Sequence, residues 1–181
     1  MNPPTVAITA RGVDRILSGH PWIYRTDVVH DGDADPGAIA RLVDRKKRFW
    51  GQALYSSKSQ IALRLLTRAS RPFDRAFLAE RIRAAAAYRE EVVEGARAYR
   101  LVAAEGDLLP SLVIDRYADC FVVQTLSQGM ERLKPDVVAI LQEEFSTRSI
   151  IERNDSAVRT LEGLPEQVEL LAGEDVSEMV V

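Results

Sequence analysis

Long apolar runs are missing from this chain of 181 residues. Runs such as Leu112-Val113-Ile114 and Cys120-Phe121-Val122-Val123 fall far short of the roughly 20 residues that a membrane helix needs. No membrane partner is therefore expected. The opening Met1-Asn2-Pro3-Pro4 has neither the charged nor the apolar region of a signal peptide. Cysteine occurs once, at Cys120, so no internal disulfide forms and nothing points to an oxidising compartment; the expected location is cytoplasmic. Cys120 follows Asp119 with no cation beside it, which disfavours a thiolate and reads as a buried structural thiol. Two histidines and one distant cysteine offer no ligand spacing for zinc, and no metal site is expected. The ten glycines never lie closer than five positions, so the G-x-G turn of nucleotide cofactor sites is missing. The one G-x-x-x-x-G match, Gly32 to Gly37, continues with Ala38-Ile39 where a phosphate loop needs Lys and Ser or Thr.

What is present is a split of charge. Residues 1–72 hold twelve Lys/Arg against six Asp/Glu, whereas residues 73–181 hold twelve against twenty-one. The sum of −3 hides a basic front and an acidic back, and the front calls for a polyanionic partner, with nucleic acid the leading candidate.

Residues 1–72 read as a small, mostly β unit. Thr5–Thr9 is β-prone, Arg11 to Gly19 reads as a short helix stopped by glycine, and Pro21 forbids its continuation. Short apolar segments follow at Trp22–Tyr24, Ala38–Val43, Phe49–Tyr55 and Ile61–Leu66, separated by turn residues. This count of strands predicts a compact barrel. Basic residues fall on its connections: Arg11 and Arg15, the run Arg45-Lys46-Lys47-Arg48, and Lys58 with Arg64 and Arg68. Such positions reach a phosphate without disturbing a core. His20, Trp22 and Tyr24 lie among them and offer flat rings for unpaired bases. Plainer readings stand beside these: Trp22 as a core or corner residue, the basic run as a solvated turn, and Arg64 and Arg68 on an exposed strand face.

Residues 73–181 read as an acidic α+β unit. Asp74 can cap a helix carrying Leu78, Ile82, Ala85 and Val92, which ends by Gly95. Strands are predicted at Tyr99–Ala103, Ser111–Tyr117 and Phe121–Leu126, the last two joined by a tight turn at Ala118-Asp119. A second helix after Gly129 carries Leu133, Val137, Ile140 and Leu141, with Pro135 tolerable only near its first turn. Ser149–Glu152 is predicted to close the sheet. Polar residues gather at Glu105-Gly106-Asp107 with Asp115-Arg116, and at Glu152-Arg153-Asn154-Asp155 with Arg159 and Glu162. Either is a site or a set of ion pairs; a small hydrolase would need Glu105, Asp107 and Asp115 to converge.

Several motifs occur in order: Gly19-His20-Pro21-Trp22-Ile23-Tyr24, Ser59-Gln60-Ile61, Ala104-Glu105-Gly106-Asp107 with Leu109-Pro110, Val113-Ile114-Asp115-Arg116-Tyr117, Ile151-Glu152-Arg153-Asn154-Asp155 with Val158-Arg159, and Glu162-Gly163-Leu164. As a set they resemble the bacterial and archaeal family of S-adenosylmethionine-dependent ribosomal RNA methyltransferases that begin with a PUA domain, some of which methylate carbon five of cytosine. The resemblance implies an α+β chain: a PUA-like small β-barrel over 1–72, then a central α/β sandwich-type domain over 73–181. Because the chain stops at Met179-Val180-Val181, it also implies that the Rossmann-like methyltransferase domain is absent and that no catalytic residue lies here. Two departures are Ala118, where relatives tend to have glycine in the hairpin turn, and Lys46-Lys47, where a glycine turn is common.

The implied function is the RNA-binding and scaffolding portion of a methyltransferase of large-subunit ribosomal RNA acting at a cytosine, inactive alone. Arg11, Arg15, His20, Trp22, Arg25, Lys46, Lys47, Arg48, Lys58 and Arg64 would engage RNA. Arg153, Asn154, Asp155 and Arg159 would face a C-terminal methyltransferase domain in the full-length protein. S-adenosylmethionine is the family's cofactor, with none expected in this chain. A stand-alone PUA-type RNA-binding adaptor is the alternative, and a homodimer stays open.

Overall fold

The computed structural model describes residues 3–175; the terminal residues Met1-Asn2 and Met179-Val180-Val181, on which two sequence readings fell, lie outside them. The first sheet is built from β1 (Thr5–Ile8), β2 (Trp22–Tyr24), β3 (Val28–His30), β4 (Ile39–Val43), β5 (Phe49–Tyr55) and β6 (Ile61–Thr67), in the order β2-β6-β5-β4-β1-β3. Helix α1 (Ala10–Leu17) follows β1. Thr9 caps it by accepting from the Gly12 amide, and Gly19 at φ +81° turns the chain away. Val6, Ile8, Ile16, Ile23, Leu42 and Leu63 form the core beneath.

The expected barrel is corrected to an open sheet. Among the described residues no ladder joins β2 to β3. Both strands have three residues and are separated by a 3-10 turn at Arg25–Asp27, too little chain to close the ring. β1 instead pairs in parallel with β4, Val6 opposite Leu42.

The second sheet comprises β7 (Ala98–Ala103), β8 (Leu112–Tyr117), β9 (Cys120–Thr125), β10 (Ser149–Asn154) and β11 (Gln167–Gly173), in the order β11-β10-β9-β8-β7. Helices α2 (Arg75–Val92) and α3 (Gln128–Glu144) share its core, and a short α4 (Val158–Leu161) precedes β11. Asp74 caps α2 by accepting from the Phe77 amide. β9 and β10 run parallel, with α3 as the crossover that parallel pairing requires.

Two expectations fail here. β10 does not close the sheet, because β11 adds antiparallel to its outer edge. Pro135 lies inside α3, well past the first turn, where it removes one helix hydrogen bond; Val137, Ile140 and Leu141 beyond it are buried and hold the helix on course.

The two sheets meet tightly. Leu54 and Leu66 of the first belong to the same buried cluster as Leu101 of the second and Met130 and Val137 of α3. A Cβ on Gly129 would lie 2.6 Å from the Leu54 side chain, and one on Gly37 would lie 2.5 Å from the Gln128 carbonyl oxygen. Only glycine permits this approach.

Candidate nucleic-acid interface

The basic run sits on the turn between β4 and β5, and a single carboxylate builds that turn. Asp44 Oδ1 accepts from the Lys46 amide at 2.8 Å and the Arg48 amide at 3.0 Å, and Oδ2 accepts from Arg48 Nε at 2.7 Å. Burial pushes the Asp44 carboxyl up, but the Arg48 amide and guanidinium, with the nearby Trp50 indole and the Lys46 amide, outweigh it and bring it down to about 2. The Trp50 N–H lies near this carboxylate without reaching hydrogen-bond geometry. Lys47 is held at φ +62°, a left-handed conformation that a lysine adopts at a cost. Arg45, Lys46 and Lys47 are exposed and, among the described residues, have no ion-pair partner. Between this turn and α1 lies a cavity of about 370 Å³ whose lining includes Ile8, Val13, Leu17, Asp44 and Trp50.

The remaining sequence candidates divide by what they touch. Arg11 and Arg15 both bond Asp27, at 2.5 and 3.0 Å. Burial raises the Asp27 carboxyl, but these two guanidiniums and the Thr9 hydroxyl bring it below the usual range. Arg11 nonetheless keeps 61% of its side chain exposed and so still offers charge to solvent. Lys58 is exposed. Arg48 covers the Trp50 ring at 5.5 Å, and Arg15 the Tyr24 ring at 4.7 Å.

Four candidates are committed to the fold instead. Arg64 was expected on an exposed face. It is buried, donating to Glu162 at 2.8 Å and to Ser56 Oγ at 3.1 Å. Arg25 donates to the backbone carbonyls of Ser56 and Ser59. Trp22 is half-buried, its Nε1 donating 2.8 Å to Glu105, which ties the first sheet to the second. His20 Nδ1 accepts from the Trp22 amide at 3.1 Å, with the two rings edge to face.

The acidic candidates scatter. Asp107 is gripped by both ends of the Arg89 guanidinium and by the Ala103 amide, Asp115 pairs with Arg100, and Glu105 faces Trp22. Without convergence there is no acid and base pair. Asn154 and Arg159 are fully buried: Asn154 bonds Thr125 and Glu152, and Arg159 bonds the Thr125 carbonyl, Glu131 and the Pro165 carbonyl. Neither can face another domain. Arg153 and Asp155 pair with each other at 2.9 Å on the surface. Cys120 is buried, and burial with the adjacent Asp119 raises its thiol.

Sequence reading missed the partners. Glu162 stands 98 residues from Arg64, beyond any local pattern. Trp50, two residues past the basic run, lies inside the apolar segment Phe49–Tyr55 and was not singled out.

Residues 6–68 match the family model of a PUA-like domain. Ribosomal RNA large subunit methyltransferase I of Tolumonas auensis is 39% identical over 163 residues, which is 88% of this chain and 41% of that protein. The protein of the same name in Vibrio vulnificus strain CMCP6 is 37% identical over 169 residues, 92% of this chain and 43% of its own length. The chain thus spans under half the length of these relatives. Among solved structures, a protein described as a SAM-dependent methyltransferase from Streptococcus mutans superposes with a TM-score of 0.78 at 14% identity, covering 97% of this chain and 44% of that one. A second structure, described as a methyltransferase complexed with SAH, gives a TM-score of 0.79 with the same coverage.

These superpositions overturn the expected fold class, which was defined by the absence of a methyltransferase domain. Nearly the whole chain superposes on 44% of a chain described as a SAM-dependent methyltransferase, so its two-sheet α+β arrangement is a fold contained within such a protein. The sequence reading inferred that absence from where the chain stops, whereas the likeness lies in backbone path and holds at 14% identity. Residues 6–68 are similar to a PUA-like domain, and over most of its length the chain is similar to the ribosomal RNA large subunit methyltransferases I.

Proposed function

We propose that this chain is the RNA-binding and scaffolding portion of an S-adenosylmethionine-dependent methyltransferase of large-subunit ribosomal RNA, acting in the cytoplasm. The observation that carries this reading is the unpaired cationic turn Arg45-Lys46-Lys47 beside α1, within the PUA-like residues 6–68. Arg11, Arg48 and Lys58 extend the charge on the same unit. A flexible single strand takes up such a surface through its phosphates, with affinity set by counterion release. The modified base is a cytosine on the strength of the sequence resemblance alone. Residues 1–72 would read RNA, and residues 73–181 would scaffold, with the exposed Arg153 and Asp155 turned to a C-terminal methyltransferase domain of the full-length protein.

Five of the glycines are packed against the chain itself. Gly32, Gly37, Gly51, Gly129 and Gly173 each back onto the chain's own atoms, at Thr5, Gln128, Thr67, Leu54 and Arg148. None of these five offers backbone to a nucleotide. In this reading the chain's share of the work is to bind and orient RNA.

The test is binding of a large-subunit ribosomal RNA fragment by fluorescence anisotropy across a salt series, with and without simultaneous replacement of Arg11, Lys46, Lys47 and Lys58 by alanine. Loss of binding in the variant supports the reading, and undiminished capture refutes it. Calorimetric titration of this chain with S-adenosylmethionine is expected to show no heat of binding, and methyl transfer by the chain unaided would refute the scaffolding role.

A further inference from the structure

We propose that the groove between α1 and the β4–β5 turn receives a single unpaired nucleobase of the RNA strand, with the flanking phosphates on Arg45, Lys46 and Lys47. The proposal rests on the RNA-binding reading above and names what part of the RNA that surface takes.

The cavity of about 370 Å³ is of the size that encloses small organic ligands. Its floor is apolar, with Ile8 fully buried and Val13 nearly so. Its walls are the half-buried Trp50 ring and Leu17, the latter 54% exposed. A large apolar side chain left in water beside an indole is surface that a flat ring would cover at a gain. Arg48 lies over the Trp50 ring and bonds Asp44, which fixes the wall before any ligand arrives.

The rim is cationic on balance, with Arg45, Lys46 and Arg48 against the exposed carboxylate of Asp14 on α1. Arg45 and Lys46 line the same cavity and have no ion-pair partner among the described residues, while Asp44 is already occupied by three donors from its own turn. An apolar floor beneath a positive rim complements a nucleotide, whose base is flat and weakly polar and whose phosphate is anionic. Phosphate alone would not need the floor, and a base within a duplex is stacked away from it. The occupant is therefore a splayed nucleotide of a single strand.

Two oligonucleotides test this: a short single-stranded RNA and the same ribose-phosphate chain without bases. The wild-type chain is expected to bind the intact RNA about tenfold more tightly than the abasic one, the order expected for one stacked base. Leu17→Ala, which removes a wall, and Ala10→Leu, which fills the mouth, change exposed positions. Both should erase that preference and leave abasic binding unchanged, whereas Lys46→Ala weakens both ligands alike. Equal binding of the two ligands by the wild type would overturn the groove proposal while the RNA reading stands. Binding of neither would remove the RNA reading itself, and with it the groove. Preferential capture of an acidic peptide over RNA would reassign the groove to a protein segment and overturn the proposal.

Discussion

Arg64 on β6 and Glu162 after α4 form an ion pair of 2.8 Å with both side chains buried, and it locks the first sheet to the far end of the second. Removing one partner leaves the other charge stranded. Arg64→Met is expected to destabilise the chain by about 3–5 kcal/mol, measured by urea denaturation. Replacing Glu162 by leucine as well should recover only part of this, because Ser56 and the Gln128 amide also donate to that carboxylate. A single variant as stable as the parent would show that the pair carries no net weight.

Lys47 and Ala118 hold left-handed backbone at φ +62° and +56°, in the two turns where the family resemblance implies glycine. Lys47→Gly and Ala118→Gly should each stabilise the chain by about 1 kcal/mol, read as a rise in denaturation midpoint at constant slope.

A side chain on Gly129 has nowhere to go. Gly129→Ala pushes a methyl to 2.6 Å from Leu54, so a loss of about 1–3 kcal/mol is expected from overpacking. Pairing it with Leu54→Ala should relieve the clash but open space in the core. Thermal unfolding of the three variants decides whether the two losses offset each other.

The Asp44 turn should loosen in acid. Its carboxyl is held down to about 2 against an ordinary value near 3.9, so its contribution is complete above about pH 4 and is lost as pH falls toward 2. Asp44→Asn is expected to remove this part of the acid sensitivity. Amide exchange at Lys46 and Arg48 would report it directly, and identical acid profiles for variant and parent would refute it.

RNA affinity should separate free cations from committed ones. For a single strand, each phosphate contact adds about 0.7 to the salt slope, or roughly −3.5 for five contacts. Lys46→Ala and Lys58→Ala should flatten the slope by about that increment. Arg25→Ala should instead lower stability with little change in slope, since its donors end on the Ser56 and Ser59 carbonyls.

Much of the local structure was legible because its causes are local. Asp74 announces α2 through its cap, Gly19 announces the end of α1, and Ala118-Asp119 the turn between β8 and β9. β11 escaped notice because most of its residues face solvent and leave no alternation to read. The basic turn was visible as a run of charge. That Arg25 and Arg64 serve the fold was not, because their partners are distant carbonyls and a carboxylate, and a sequence shows a guanidinium without showing what it meets. Asn154 and Arg159 were read as outward for the same reason, though their bonds run inward to Thr125, Glu131 and Glu152.

The ion pair closing on Glu162 also sets an order for biosynthesis. All strands of the first sheet have been translated by Thr67, yet Arg64 meets its counter-charge only after a further 95 or so codons, which takes about 5–20 s at ordinary elongation speeds. Throughout that interval the nascent sheet carries a guanidinium and the Leu54 flank unsheltered. A ribosome-stalled product ending before Gln128 should therefore be nicked readily by protease or retained by a chaperone, and one extended past Glu162 should resist both.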